Sequence, residues 1–323
     1  MFDVITIGAA VRDVFLISDE FKILKSPKSK TGAYECVTLG SKIEIDKMVL
    51  TTGGGATNAA ATFSSLGYHT ACIGKIGNDS TGRGLIDELK DHKINTSMIK
   101  KVAGQTAYSS LLTTPTGERT ILVHRGVSAK LTPSDIPWNK LKSKWIYLTS
   151  LGGNLALAKR IVQHAHEKNI QVAYNPGMSE IKKGRKAFAA LLPMLSVLMV
   201  NREEAAALTG RPVKDLKGMI KDLTKHNLIL IITDGEAGSY TSLGEDSWFA
   251  KPTKTKVISR TGAGDAFGSG FLSSLMKHDD LSRALQTGTL NAESVIGSIG
   301  AKRGILKRLP GAKELSKIKV SKF

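Results

Sequence analysis

The sequence predicts an α/β protein, built on a doubly wound, mostly parallel sheet with helices on both faces, together with a small β-sheet lid. Three observations support this prediction. Short β-rich runs alternate with amphipathic helical stretches, and two regions interrupt that alternation. The 323 residues, 41% of them hydrophobic, also suit one large domain with a core of ordinary size. Strand–helix alternation at this spacing implies parallel strands that are covered on both faces.

Apolar, β-rich runs predict the strands of the main sheet. They are Val4–Ile7, His69–Ile73, Trp145–Leu148, Gln171–Tyr174, Val197–Val200 and Leu228–Ile232. Amphipathic stretches between them predict helices near 57–66, 80–92, 154–168, 202–209 and 214–225. Two longer helical patterns, near 263–277 and 280–298, are rich in small residues that allow close backbone approach.

Residues 14–50 and 105–125 break this rhythm and predict the lid. The first region carries alternating segments such as Lys42–Asp46 and no helical pattern. The second contains the strand-like runs Thr106–Thr113 and Arg119–His124 on either side of a Pro-Thr-Gly turn, which is a hairpin signature. We therefore expect a main domain of residues 1–13, 51–104 and 126–323, with the lid standing off it.

The chain is strongly basic, with 46 Lys and Arg residues against 28 acidic ones and a net charge of +18. Such a balance attracts polyanions. Eight basic residues and one acidic residue, Glu314, lie between Lys302 and the end. The basic residues are not interleaved with aromatics, which make up 6% of the chain. A solvated basic surface is the simpler interpretation, and no nucleic-acid partner is expected.

Cysteine content and hydropathy indicate a cytoplasmic protein. The two cysteines, Cys36 and Cys72, do not make a disulfide framework, and no Cys/His cluster has metal-ligand spacing. The first residues lack the basic region of a signal peptide. The longest nearly apolar run, 187–200, contains Pro193 and is shorter than the about 20 residues needed to span a bilayer. No membrane partner is expected.

The run Thr261-Gly262-Ala263-Gly264-Asp265 opens a predicted helix and is the first chemical motif. Its small residues allow a tight turn whose backbone N–H groups point outward, which suits the charge of a transferring phosphoryl group. Asp265 beside this anion site can accept a proton from an attacking hydroxyl. The alternative is structural: Asp265 caps the helix and the glycines form a turn.

A second glycine-rich element, Gly53-Gly54-Gly55-Ala56-Thr57-Asn58, precedes the first predicted helix. The glycines let the backbone approach a ligand closely, and Asn58 offers a donor and an acceptor to hydroxyl groups. The alternative is a flexible strand-to-helix turn in which Asn58 is the cap.

The two elements, in this order and about 200 residues apart, resemble the two signatures of the ribokinase/PfkB family of carbohydrate kinases. The resemblance runs from about residue 3 to residue 301. It implies a ribokinase-like fold and ATP-dependent transfer of a phosphoryl group to a hydroxyl of a sugar or nucleoside. Asp265 would be the catalytic base, and the amides of Gly262, Ala263 and Gly264 would bind the phosphoryl oxygens.

The resemblance also implies the substrate contacts. Gly8 to Asp13 resembles the family's early G-x-x-x-x-D, whose Asp binds substrate hydroxyls, and Gly54, Gly55 and Asn58 would join it. Arg125, after the second lid strand, could contact a carboxylate or phosphate on the substrate, or it could be a solvated lid arginine. The first case points to an alternative function, a kinase for a sugar acid or sugar phosphate similar to 2-keto-3-deoxygluconate kinases.

Further matches concern the nucleotide and its metal. Asn201-Arg202-Glu203-Glu204 resembles the family's N-x-x-E, so Asn201 and Glu204 would organise Mg²⁺ and the ATP phosphates. The alternative for Glu204 is an exposed carboxylate in a helix first turn. Thr233, Gly235 and Gly238 match the T-x-G-x-x-G that lines the nucleotide, and either Asn291 or Thr289 would contact the base.

Two departures from the family pattern narrow the expectation. The family often writes Asp-Thr before its Gly-Ala-Gly-Asp loop, and that Asp helps to hold a monovalent cation. Here the run is Ser259-Arg260-Thr261, which weakens the case for K⁺; Arg260 could instead contact phosphate or lie on the surface. Ribokinases carry a ribose-contacting Lys where this chain has Gly55, so ribose specificity is not supported.

Two expectations about partners remain. An exposed lid edge could pair with a second copy to form a homodimer. The competing class of function is a non-catalytic, basic, nucleic-acid-associated binder that uses the Lys302–Phe323 segment.

Overall fold

The computed structural model describes all residues, 1–323. Its strands are β1 Phe2–Ile7, β2 Val11–Ile17, β3 Lys22–Lys25, β4 Ala33–Cys36, β5 Lys47–Gly53, β6 Thr70–Ile73, β7 Lys75–Gly77, β8 Lys100–Val102, β9 Ala107–Thr113, β10 Arg119–His124, β11 Ser143–Thr149, β12 Gln171–Asn175, β13 Val197–Asn201, β14 Ile229–Thr233, β15 Ser239–Leu243, β16 Asp246–Lys251 and β17 Lys319–Lys322. Its helices are α1 Gly55–Ser65, α2 Ser80–Asp91, α3 Leu155–Glu167, α4 Met178–Lys183, α5 Arg185–Ala189, α6 Arg202–Thr209, α7 Leu216–Leu223, α8 Ala263–His278, α9 Leu281–Ile296 and α10 Ala312–Leu315.

Nine strands form the main sheet in the order β17-β16-β15-β14-β13-β12-β11-β1-β6. Six neighbouring strands, β14, β13, β12, β11, β1 and β6, are parallel. Strands β15, β16 and β17 extend the sheet in antiparallel pairs. The predicted strands are these six, because apolar runs buried on both faces leave a continuous signal in the sequence. The carboxyl ends of the parallel strands share one edge, where ligands bind in open α/β sheets.

Helices cover both faces of the main sheet. Ile5 and Ile7 of β1 pack on one side with α3, α6 and α7, while Val4 packs on the other with α1, α8 and α9. The same alternation separates Ile146 from Tyr147 on β11. Successive side chains of a strand point to opposite faces, so each strand contributes to two cores.

A separate sheet of four strands, in the order β10-β9-β2-β5, stands beside the main sheet. The predicted hairpin is present, since β9 and β10 pair antiparallel from Thr113 and Arg119 to Tyr108 and His124. Phe15, Val49 and Leu111 are buried together on one face. Strand β2 begins at Val11 and strand β5 ends at Gly53, so the sheet extends beyond the predicted limits 14–50 and includes Asp13. The division into domains at those limits, and the role of a lid, remain predictions.

The C-terminal segment is folded rather than a free basic tail. Its strand β17 pairs with β16, and Leu315 and Ile318 are buried. Lys302, the first basic residue of the segment, is only 5% exposed. The count of basic residues in this segment therefore included one lysine that lies in the interior, together with lysines on the surface. No helix of the fold has the length and apolar character to cross a membrane.

Candidate active site

The first motif forms the amino-terminal end of α8. Gly262 is the N-cap residue, with a φ of 78° that L side chains rarely adopt, and a Cβ there would lie 2.3 Å from the Cβ of Ala301. No side chain caps the helix. The N–H groups of Gly264 and Asp265 make no hydrogen bond within the protein. The helix end is therefore open, with donors available to an anion.

Asp265 is the third residue of α8, so the interpretation of Asp265 as the helix cap is wrong. Its carboxylate instead accepts a hydrogen bond of 2.8 Å from Nδ2 of Asn58. Burial raises the pKa of Asp265, and the hydrogen bond from Asn58 and the charge of Lys302 act in the opposite direction. The result is a carboxylate of raised basicity beside free backbone donors.

The second glycine-rich element connects β5 to α1. Gly54 is the N-cap of α1 with a φ of 95°, and a Cβ there would lie 2.3 Å from the carbonyl oxygen of Ala9. Asn58 therefore does not cap this helix; it lies one turn inside. The hydroxyl of Thr57 donates to the carbonyl oxygen of Gly53 at 2.7 Å and fixes the turn. This geometry aims the amide of Asn58 across the cleft at Asp265.

Asp13 lies on β2 of the four-stranded sheet and reaches the same turn. A Cβ at Gly53 would lie 1.9 Å from its Oδ2, so the carboxylate rests directly against the glycine-rich backbone. Its side chain is 8% exposed. Burial raises the pKa of Asp13, and the nearby Ser109 hydroxyl and the charge of Lys302 act in the opposite direction.

A cavity of about 340 Å³ opens above Asp265, between the carboxyl edge of the main sheet and the four-stranded sheet. Its polar and small lining residues include Gly8, Gly55, Arg125, Ser128, Thr149, Ser150, Asn175 and Asp265. Arg125 is exposed and makes no ion pair. The cavity therefore offers a carboxylate at its base and a free guanidinium at its wall.

Asn201 and Glu204 form a capping box at the start of α6. The Asn201 side chain accepts from the Glu204 N–H at 2.8 Å, and Glu204 Oε2 accepts from the Asn201 N–H at 2.9 Å. Glu204 is 9% exposed, not the exposed carboxylate of the structural alternative. Its pKa is raised, mainly by burial. The other oxygen, Oε1, makes no hydrogen bond, so one ligand position remains.

The predicted nucleotide loop joins β14 to β15. Thr233 lies beside Asn201 in the register of the two parallel strands. Gly235 and Gly238 bracket a short turn closed by a hydrogen bond of 2.8 Å from the Asp234 N–H to the Gly238 carbonyl oxygen. The N-x-x-E and T-x-G-x-x-G motifs are thus brought to one edge of the sheet.

Ion pairs fix this loop to its neighbours. Asp234 accepts from Arg202 at 2.5 Å, which ties the loop to α6. Arg260 pairs with Glu236 at 2.6 Å, and both side chains are well exposed. Arg260 thus connects the loop to the segment that leads into α8.

Asn291 does not join these residues. It is fully buried in α9, where Nδ2 donates to the Ala266 carbonyl oxygen at 2.7 Å and Oδ1 accepts from the Leu306 N–H at 2.9 Å. The nitrogen and the oxygen of its amide are both hydrogen-bonded to protein backbone, so neither atom is free to bind a nucleotide. The resemblance offered either Asn291 or Thr289 as the contact with the base, and the sequence does not give the direction of a side chain on its helix. Asn291 therefore takes no part in the proposed nucleotide site.

Sequence reasoning missed two buried side chains that organise the site. Glu180 accepts the N–H groups of Leu151, Gly153 and Gly177, and so joins the loops that follow β11 and β12. Lys302 donates to Asn58 from behind. Neither position carries a local motif. A Gly-Ala pair directly before Lys302 is the one signal of close packing there.

Comparisons with known proteins give the family and the fold of the chain. A model of the family described as pfkB family carbohydrate kinase matches residues 1–308. The chain is 29% identical over 248 residues to a protein of Archaeoglobus fulgidus described as an uncharacterized sugar kinase, covering 75% of this chain and 97% of that protein. It is 27% identical over 252 residues to an ATP-dependent ribose-1-phosphate kinase of Halopiger xanaduensis, covering 77% and 82%. The structure of a ribokinase from Thermotoga maritima superposes with a TM-score of 0.75 at 21% identity, covering 98% of this chain and 99% of that one. The ribokinase-like α/β fold is thereby confirmed.

Proposed function

The chain belongs to the pfkB family of carbohydrate kinases, and on that premise we propose that it transfers the γ-phosphoryl group of ATP to a hydroxyl of a sugar or nucleoside bound above Asp265. The observation that carries this proposal is the open end of α8. Free N–H groups lie next to a carboxylate that faces the cavity. A phosphoryl group held by those donors would lie beside the base that activates its acceptor.

In the proposed reaction Asp265 accepts the proton of the acceptor hydroxyl as its oxygen attacks the γ-phosphorus. The new O–P bond forms while the bond from the γ-phosphorus to the bridging oxygen breaks, and ADP leaves with that electron pair. The raised pKa of Asp265 favours proton acceptance, and the hydrogen bond from Asn58 keeps the carboxylate oriented. The free amides of Gly264 and Asp265, with Gly262 and Ala263 in the same turn, would line the position of the phosphoryl oxygens.

The residues near α6 fit a magnesium ion held largely by the nucleotide. The structure contains no group of three or more His, Cys, Asp or Glu side chains able to hold a metal alone. One carboxylate with phosphates and waters is nonetheless a set of ligands that Mg²⁺ accepts. Glu204 would offer Oε1, and Asn201, Thr233, Gly235 and Gly238 would contact ATP. The ion, when bound, supplies positive charge to the phosphates.

Arg125 favours a second candidate acceptor, one that carries a carboxylate or phosphate. Its guanidinium lines the cavity and has no acidic partner, so an anionic substituent could pair with it. The relative from Halopiger is named for a sugar phosphate. Under this second candidate the hydroxyl still lies at Asp265 and the anion at Arg125.

An ADP-release assay over free sugars, nucleosides, sugar acids and sugar phosphates tests both candidates. The panel is run with Mg²⁺, with EDTA, and with and without K⁺, and Asp265→Asn serves as the control. We expect release with one class of acceptor, lost in EDTA and in the variant. Arg125→Met should raise KM for an anionic acceptor and leave KM for a neutral one unchanged. Equal release by Asp265→Asn would contradict the proposed site.

Three further parts of the proposal concern the role of the four-stranded sheet, the pairing of two copies and the location of the enzyme in the cell. We propose that this sheet closes over the acceptor as a lid, because Arg125 and Val123 already line the cavity from its side. We propose that two copies pair through its other face, because Met48, Leu50 and Leu122 on that face are each more than half exposed. We also place the enzyme in the cytoplasm, where ATP is present. Light scattering of wild type and Leu122→Lys tests the dimer, which should become a monomer in the variant.

A further inference from the structure

Lys302 is a buried lysine whose three hydrogen bonds all go to the glycine-rich turn between β5 and α1. Its Nζ donates to the Thr52 carbonyl oxygen at 2.5 Å, to Asn58 Oδ1 at 2.7 Å and to Thr57 Oγ1 at 3.2 Å. An ammonium group has three donors and no acceptor, so every proton is used. Burying a charge costs free energy unless it is paired and hydrogen-bonded, so the position of Lys302 depends on these three contacts.

The contact with Asn58 determines which way that amide faces. Lys302 can only donate, so Asn58 must turn its oxygen toward Lys302. The Asn58 NH₂ group then points to Asp265, where it donates to Oδ2 at 2.8 Å. If the amide were reversed, its oxygen would face a carboxylate and its NH₂ group would face an ammonium. Lys302 and Asp265 therefore both exclude the reversed amide.

The segment that carries Lys302 also supports the loop before α8. Ala301 packs directly against Gly262, where even a methyl group would not fit. Adjacent residues thus contact both halves of the site, the open helix end through Ala301 and the glycine-rich turn through Lys302. Arg303, the next residue, is exposed and makes none of the ion pairs of the structure.

From this geometry we infer that Lys302 is a positioning residue for phosphoryl transfer: through Asn58 it holds the Asp265 carboxylate toward the acceptor hydroxyl. This inference rests on the proposed role of Asp265 as the base. The positive charge of Lys302 also lowers the pKa of Asp265. The titratable or charged groups that face Lys302 are Asp13 on β2, Cys72 on β6, Glu88 on α2, His92 directly after α2, and Asp265 on α8.

Replacement of Lys302 by Met, with Arg303→Met as the matched control, tests the inference. Both changes remove one positive charge, but only the first breaks the contact with Asn58. We expect Lys302→Met to lower kcat about 10²-fold, the scale of a misplaced catalytic group, with KM for ATP little changed. The acid limb of the kcat/KM profile should move to higher pH, because loss of the ammonium raises the pKa of Asp265. Arg303→Met should show neither change.

A second variant separates orientation from charge. Lys302→Gln retains an NH₂ donor for Asn58 without the charge, so it should recover part of kcat and keep the shifted acid limb. The inference is overturned if Lys302→Met retains kcat within about twofold of Arg303→Met, or if its acid limb does not move. If neither variant folds, Asn58→Ala decides, because the inference routes the effect of Lys302 through that amide. A kcat of Asn58→Ala within about twofold of the wild-type value would overturn the inference.

The proposed function can fail separately from this inference. If Asp265→Asn is inactive and Lys302→Met is normal, the base stands and the positioning role is wrong. If Asp265→Asn is active, the base assignment fails, whatever the Lys302 variants do.

Discussion

The amino-terminal ends of α6 and α8 place a carboxylate at the same position, the third residue of the helix, and use it differently. In α6, Glu204 turns back onto the Asn201 N–H, and the Asn201 side chain accepts from the Glu204 N–H. In α8, the cap is Gly262, which has no side chain to offer, and Asp265 turns to Asn58 instead. One helix end is closed on itself, and the other is left open.

The difference follows from the cap residue and the neighbouring chain. An Asn cap satisfies the first amides locally, so the helix needs no ligand. A glycine cap with positive φ packs against Ala301 and leaves the amides of Gly264 and Asp265 without partners. Donors that the protein leaves unpaired at a helix end can bind an anion, whose charge the helix dipole also favours. The open end is therefore the part of the molecule adapted to a charged ligand.

Removal of the charge at the open end should have the largest effect. We expect Asp265→Asn to fold and to lose roughly 10²–10⁴-fold in kcat, because a general base contributes that much to proton transfer. Its circular dichroism spectrum should match that of the wild type. Steady-state kinetics with the identified acceptor measure the loss. A variant with more than about half of wild-type kcat would show that Asp265 is not the base.

A methyl group at the open cap should cost stability next. Gly262→Ala forces an L side chain into the left-handed region, worth about 1–2 kcal/mol, and drives its Cβ into Ala301. Gly264→Ala is the matched control for stability, since a Cβ there meets nothing within 4 Å. Urea denaturation should separate the two variants by more than about 1 kcal/mol. Equal stability would mean that the loop is not held by the contact with Ala301.

Loss of the side chain at the closed cap should have a smaller effect. Asn201→Ala removes an acceptor from the capping box of α6 and should lower stability by about 0.5–2 kcal/mol. The N-cap of α8 is a glycine without a side chain, so truncation to alanine has no counterpart at that helix end. Thermal denaturation without nucleotide measures the change. A variant as stable as the wild type would show that the capping box does not stabilise α6.

The smallest effect is the dependence of stability on pH. The pKa of Asp265 is raised in the folded protein, so the wild type loses stability as pH rises through that value. The side-chain amide of the Asp265→Asn variant does not titrate. We expect that variant to be more stable than the wild type at pH 7 and the difference to shrink toward pH 4. A difference that grows as pH falls would reverse the assigned direction.

Most of the fold could be predicted from local sequence patterns. The run Val4–Ile7 lies within β1, and the patterns near 202–209 and 263–277 match α6 and α8 closely. Strand β17 gave no such signal, because it is short, edge-located and basic, and only pairing with β16 makes it a strand. Periodicity reports burial on a helix or strand, and it does not report which distant strand supplies a partner.

The site was predictable where its chemistry depends on contiguous residues. Asp265 and Asn58 lie in compact motifs, and the structure brings them within hydrogen-bond distance across 207 positions of sequence. Lys302 was counted with the basic C-terminal residues because a buried lysine and a solvated one are identical in sequence. Asn291 was assigned to the nucleotide because the sequence does not show how α9 is rotated about its axis. That rotation is set by the packing of α9 against α8. Both errors come from long-range contacts that no local pattern encodes.

The most direct test of the open helix end is a crystal structure of the protein with Mg²⁺, ADP and aluminium fluoride, which imitates a phosphoryl group in transfer. We predict the fluoride at the Gly264 and Asp265 amides, with the Asp265 carboxylate facing the same position. A nucleotide whose terminal phosphate lies elsewhere, or an Asp265 carboxylate turned away from the fluoride, would contradict the central claim.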